Sequence, residues 1–163
     1  MPTGSAERLS GGRLQADQPE FPVNDLVNPI RDYLFVYGSL RRKPGACSNH
    51  PLLAGCEWFG PAALAGRLYR LDGYPGAVDA GRGRIQGEVY RLRNGRRTLA
   101  ALDLYEECTR RFPQPHEYRR VRRPVRLAGG RVLSAWVYLY NRPTADLSPI
   151  AGGDYFSPNA GTA

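Results

Sequence analysis

From Arg131 to Tyr140 two apolar sets alternate. Leu133, Ala135, Val137 and Leu139 face one way, and Trp136, Tyr138 and Tyr140 face the other. Alternation with period two marks an extended strand, and apolar residues on both faces mean that protein or ligand must cover both. Such a strand suits the wall of a barrel. A second run, Tyr33-Leu34-Phe35-Val36-Tyr37, is β-favouring throughout, apolar on both faces and stopped by Gly38-Ser39. Further strands are expected at about Ala62 to Leu71, Ala77 to Asp79, Arg84 to Arg93 and Arg119 to Leu127. Glycine (19) and proline (14) make up about one residue in five, which interrupts long helices and excludes a coiled coil or helical bundle. One helix is expected, from about Arg96 to Cys108. The order of strands, helix, then strands predicts an α+β fold, a small mixed β-barrel with one main helix. The 163 residues suit one domain, placed at about 32–141. A polar, Gly/Pro/Ser-rich flexible tail (1–31) precedes it, and a C-terminal tail of similar character (142–163) follows.

The formal charge is +8, and of 23 basic residues only Lys43 is a lysine. The excess is local: Thr109 to Arg131 contain eight arginines and one acid, Glu117, so the remainder is nearly neutral. Cys47, Cys56 and Cys108 are odd in number and form no C-x-x-C pair, which indicates neither a disulfide framework nor a zinc ribbon and points to a reducing, cytoplasmic setting. The first thirty residues lack the apolar run of a secretory signal, and nothing downstream approaches the ~20 apolar residues of a membrane span.

On a helical wheel Arg96, Asp103 and Glu107 share a polar arc expected to face solvent. Glu106 falls elsewhere: it follows Leu99 by seven residues and Leu102 by four, so it shares their stripe and is expected to point toward the barrel. An inward carboxylate at a helix end costs several kcal/mol unless it is paired, hydrogen-bonded or protonated, and burial raises its pKa toward the range useful for acid/base chemistry. An ion pair with one of the many arginines is the competing explanation.

Several short motifs occur in order. Tyr37-Gly38-Ser39-Leu40-Arg41 is followed by Ser48-Asn49-His50-Pro51-Leu52-Leu53, Gly66-Arg67-Leu68-Tyr69, Tyr74-Pro75-Gly76 and Gly87-Glu88-Val89-Tyr90. Then come Leu102-Asp103-Leu104-Tyr105-Glu106, Tyr118-Arg119-Arg120 and Trp136-Val137-Tyr138. From about Tyr33 to Tyr140 this series resembles the gamma-glutamylcyclotransferase-like family of small β-barrel proteins. The resemblance implies a general acid/base at Glu106 and a loop, Tyr37, Gly38, Ser39 and Leu40, that holds a glutamyl group through backbone amides. It marks Tyr118 as a further substrate-binding candidate. It also implies that a γ-glutamyl amine or peptide closes to 5-oxoproline and releases an amine, an acyltransferase or lyase type of reaction needing neither metal nor other cofactor. A gamma-glutamylamine cyclotransferase type, a small-molecule substrate and a monomer or weak homodimer are expected. Independently, a glycine turn after a buried strand can present several N–H groups at one point. One departure stands out: the family commonly has glycine after the glutamate, and this chain has Glu107.

Other constellations carry less. Cys47, His50, Cys56, Cys108 and His116 lack zinc-ligand spacing, and His50 is expected to brace its loop. Gly81-Arg82-Gly83 with Gly87 misses the dinucleotide-binding spacing. Glu88 is expected to sit on the polar side of its strand and pair with an arginine. The alternative function is a non-catalytic ligand- or RNA-binding module, with Arg120, Arg122 and Arg126 on one face of the Arg119–Arg126 strand beside aromatic residues. Nucleic acid is not expected as the main partner, because like charges on a strand face more often form a solvated edge. The basic run lies where it could hold Glu106 ionised or attract an anionic γ-glutamyl substrate.

Overall fold

The structure is a computed structural model that describes residues 31–157; the expected N-terminal tail lies almost wholly outside the described residues. Five strands close a barrel in the order β1-β5-β2-β6-β7: β1 (Tyr33–Val36), β2 (Glu57–Ala65), β5 (Arg84–Arg91), β6 (Tyr118–Leu127) and β7 (Val132–Tyr140). Neighbours run antiparallel except at the closure, where β1 meets β7 in parallel at Leu34 and Trp136. Strands β3 (Arg67–Arg70) and β4 (Pro75–Val78) form a separate antiparallel pair, and helix α1 (Gly95–Tyr105) connects β5 to β6. The expected α+β barrel with one main helix is the observed architecture.

The two faces of β7 are buried as their composition requires. Ala135, Val137 and Leu139 join Phe35, Leu64, Ile85, Val89 and Val125 inside the barrel, with Leu133 packed at its edge. Tyr138, flanked by Trp136 and Tyr140, joins Leu34, Tyr90, Leu99 and Leu102 in a second core outside the wall. The helix supplies Leu99 and Leu102 to this outer core, so α1 is the cover that the aromatic face of β7 demands.

Three boundaries differ from expectation. The strand expected from Ala62 to Leu71 begins earlier, at Glu57, and is divided at Gly66, where φ is 148° and a Cβ would lie 2.3 Å from the Val78 carbonyl oxygen. The helix ends at Tyr105, three residues early, because Glu107 takes φ 52°. There the Cys108 amide donates to Asp103 O at 3.0 Å and the Glu107 amide to Leu104 O at 3.2 Å. This reversal usually has glycine at its left-handed position. Glu107 therefore adopts the turn that glycine would make, at a local cost of about 1–2 kcal/mol. The stretch read as the start of a C-terminal tail packs back onto the barrel as far as Ser157. Pro149 bridges Tyr69, Ile150 is buried, and Asp154 pairs with Arg41 at 2.7 Å. Its isolated apolar residues, Ile150, Tyr155 and Phe156, have no periodicity to announce this docking.

Candidate active site

One end of the barrel opens into a cavity of about 330 Å³. Every residue singled out for the site lines it: Tyr37, Gly38, Ser39, Leu40, Glu106 and Tyr118. Tyr74, Tyr105, Glu107 and Glu117 complete the part of the wall that bears on its chemistry.

The turn after β1 is built for close approach. Gly38 abuts Pro75, where a Cβ would come within 2.8 Å of Pro75 Cγ. The Arg41 amide donates to Gly38 O at 3.0 Å and closes the turn. The amides of Gly38, Ser39 and Leu40 have no backbone acceptor among the described residues. A set of unsatisfied N–H donors at one point suits a carboxylate or a developing oxyanion. Below the turn, buried Glu88 accepts hydrogen bonds from the Arg42 amide and the Tyr90 hydroxyl, both at 3.2 Å, and lies 3.8 Å from Arg41 Nε. Glu88 thus pairs with an arginine as expected, but it is buried rather than solvated.

Glu106 is the C-cap of α1, its amide bonded to Leu102 O at 2.8 Å. Its carboxyl faces the cavity and forms no ion pair among the described residues. Burial, reinforced by the negative charge of Glu117, pushes its pKa up to about 7. A helix C-terminus is also the unfavourable end for an anion. The arginine-rich segment does not hold Glu106 ionised: none of its arginines, all among the described residues, pairs with Glu106, and four of the eight reach aspartates instead. Arg120 Nε lies 3.1 Å from Asp103, Arg122 reaches Asp32 at 2.5 Å, and Arg123 and Arg119 reach Asp79 at 2.5 and 3.9 Å. Arg120 and Arg122 also stack on Trp136, 4.7 and 4.4 Å from the ring centroid.

Asp103 is a second correction to the helical wheel. It does not simply face water but accepts a hydrogen bond from the Tyr138 hydroxyl at 2.8 Å and pairs with Arg120, joining α1 to β6 and β7. Arg96 and Glu107 are exposed as expected. The buried tyrosines are held neutral. The Tyr37 hydroxyl donates to Tyr138 O at 2.6 Å and the Tyr118 hydroxyl to Pro75 O at 2.8 Å, and burial raises both pKa values far above the ordinary tyrosine range. These hydroxyls brace the barrel mouth, so neither is poised to act as a base.

Sequence reasoning passed over Glu117 and Tyr74, whose hydroxyl donates to the Glu117 carboxylate at 3.1 and 3.3 Å. Glu117 immediately precedes Tyr118 and was the single acid in the arginine-rich run; that isolation was the available signal. Of the residues set aside, His50 Nδ1 accepts from the Leu52 amide at 3.3 Å, bracing its turn. The Cys108 thiol is pushed up to about 12 by burial and by Asp103, which makes it a poor nucleophile. Among the described residues no three His, Cys, Asp or Glu side chains converge as a metal site, and no helix is long and apolar enough to cross a membrane.

A closed five-stranded barrel with one covering helix is a gamma-glutamylcyclotransferase-like fold. The chain belongs to the family described as "Gamma-glutamyl cyclotransferase, AIG2-like", whose model matches residues 34–157. The gamma-glutamylcyclotransferase family protein YtfP of Escherichia coli (strain K12) is 38% identical over 123 residues, covering 75% of this chain and 94% of its own. The solution NMR structure of Escherichia coli ytfP aligns with a TM-score of 0.52 at 37% identity, covering 77% of this chain and 96% of that one. An uncharacterized protein from Pyrococcus horikoshii aligns with a TM-score of 0.53 at 26% identity, covering 76% and 89%.

Proposed function

We propose that this protein converts a γ-glutamyl amine or peptide into 5-oxoproline and a free amine, with Glu106 as general acid/base. The observation that carries the reading is Glu106 itself, a carboxyl in a cavity with a pKa pushed up to about 7, sharing that cavity with the Gly38–Leu40 amides. The substrate's α-amine is an ammonium at neutral pH and cannot attack until it loses a proton. Glu106 takes that proton, the amine nitrogen bonds to the γ-carbonyl carbon, and the γ-carbon–nitrogen bond to the leaving group breaks. Glu106 delivers that proton to the departing nitrogen as the bond breaks and takes the second proton from the new ring nitrogen, which the released amine, the stronger base, carries away as its ammonium. A carboxyl with a pKa near 7 can do both near neutrality, and such a group is worth ~10²–10⁴ in rate. The amides of the turn are suited to hold the glutamyl group and the developing oxyanion, one such donor being worth ~10²–10³. Because the ring closure is unimolecular, the remaining wall has only to hold a folded conformer.

The test is 5-oxoproline release from a panel of γ-glutamyl amines and amino acids, with wild type compared with Glu106→Gln. Release from at least one member by wild type, and its loss in the variant, is the expected result. Undiminished turnover in Glu106→Gln would remove Glu106 from the mechanism, and no release from any member would remove the activity.

A further inference from the structure

The cavity has a charge pattern that ring closure does not require. Glu106, Glu107 and Glu117 line it together with no lysine, arginine or histidine, in a chain of formal charge +8. Glu106 serves the chemistry proposed above, whereas Glu117, at the foot of β6, enters it only through the charge that helps raise the Glu106 pKa. Tyr74 and Tyr105 are 39% and 48% exposed and mark the mouth of the cavity. A substrate held by its glutamyl end at the Gly38–Leu40 turn therefore extends its leaving group outward past Tyr74 and Glu117. The Glu117 carboxylate is oriented by the Tyr74 hydroxyl at 3.1 and 3.3 Å. A carboxylate offers about four acceptor positions, so capacity remains. Arg142 Nη1 lies 3.7 Å away on a side chain that is 50% exposed, a long, solvent-screened pair that does not neutralise the wall.

Resting on the function proposed above, we propose that Glu117 is a specificity-determining residue that selects γ-glutamyl conjugates whose leaving amine carries a second positive charge, as a diamine or polyamine does. An ammonium at the mouth exchanges water for Glu117 and gains a charge-assisted hydrogen bond. An alkyl leaving group packs on Tyr74 and Tyr105 but strips water from Glu117 without replacing it. A leaving group ending in a carboxylate meets three like charges. The bonds made and broken are those of the cyclisation, and the product is the free polyamine.

Three amides of similar shape test this: γ-glutamyl N-(4-aminobutyl), N-pentyl and N-(4-carboxybutyl) amide, compared by kcat/KM in wild type, Glu117→Gln and Arg142→Gln. Wild type should favour the aminobutyl over the pentyl amide by about tenfold or more, the scale of one charge-assisted contact, and the carboxybutyl amide should be the poorest substrate. Glu117→Gln should bring the aminobutyl-to-pentyl ratio to within about twofold, and Arg142→Gln should widen it. A ratio near one in wild type, or a uniform loss in Glu117→Gln with the ratio intact, would overturn the proposal. If no amide turned over, the wider panel of γ-glutamyl amines and amino acids would show whether the cyclisation reading itself fails. Titration calorimetry of the same amides on Glu106→Gln protein would then decide the selectivity: tighter binding of the aminobutyl amide supports it and equal affinities refute it.

Discussion

Along β6, Arg119, Arg120, Arg122 and Arg123 each reach an aspartate within 4 Å, and Trp136 is stacked between Arg120 and Arg122. In the cavity, by contrast, three glutamates have no arginine among the lining residues, and Glu106 has no ion-pair partner among the described residues. The first region is an electrostatic clasp: opposite charges at the surface gain little individually, but together they fasten α1 and the β3–β4 pair to the barrel. The second keeps like charges together where solvent is reduced, a cost to stability that leaves a carboxyl able to exchange a proton near neutrality. Net charge describes neither region: the β6 arginines are largely neutralised and the pocket is negative, so the +8 is carried by the rest of the chain.

The contrast can be broken from both sides. The largest effect belongs to the pocket: Glu106→Gln should lower kcat by ~10²–10⁴, read from 5-oxoproline release, while circular dichroism stays native. Next comes the clasp. Asp103→Ala removes the partner of both Tyr138 and Arg120, leaving a buried hydroxyl with only the long 3.4 Å contact to Leu99 O, and should cost about 1–3 kcal/mol in urea unfolding. A smaller effect of opposite sign returns to the pocket. Between pH 4.5, the ordinary glutamate value, and about 7, the folded chain keeps a proton on Glu106 that the unfolded chain has released. Stability therefore falls as pH rises through that window. Glu106→Gln should remove this fall and be more stable than wild type at pH 8, by on the order of 1–2 kcal/mol after allowing for solvent screening, whereas at pH 4 the two should agree. The smallest change is expected from Arg122→Gln, within about 1 kcal/mol of wild type and with kcat/KM unchanged, because its pair with Asp32 is partly exposed. A large loss of activity there would mean that the arginine face and the pocket are not separate.

How much of this was legible in the sequence depends on how local the signal was. The two-faced alternation of β7 required both an inner core and a cover, and α1 is that cover. Glu106 could be placed because its spacing from Leu99 and Leu102 is a property of the helix alone. Asp103 could not: the wheel distinguishes apolar from polar arcs, but not water from an arginine on a strand 17 residues later in the chain. The helix end at Tyr105 was hidden because a glutamate occupies the left-handed position where glycine would have announced it. Glu117 was legible as the odd acid in a basic run, but its meaning depends on Tyr74, which arrives from the β3–β4 turn. The C-terminal docking rests on scattered contacts such as Ile150 on Leu68 O, at 2.7 Å from the amide, which carry no periodic trace.

The central claim is that Glu106 exchanges the reaction's proton from a cavity that holds its pKa near 7. The most direct test is the pH dependence of kcat/KM for 5-oxoproline release between pH 5 and 9, in wild type and Glu106→Gln. The account predicts that wild-type kcat/KM rises with pH through a limb near 7, as Glu106 becomes able to accept a proton, and that turnover collapses in the variant. A variant that keeps both the rate and the limb of wild type would contradict it.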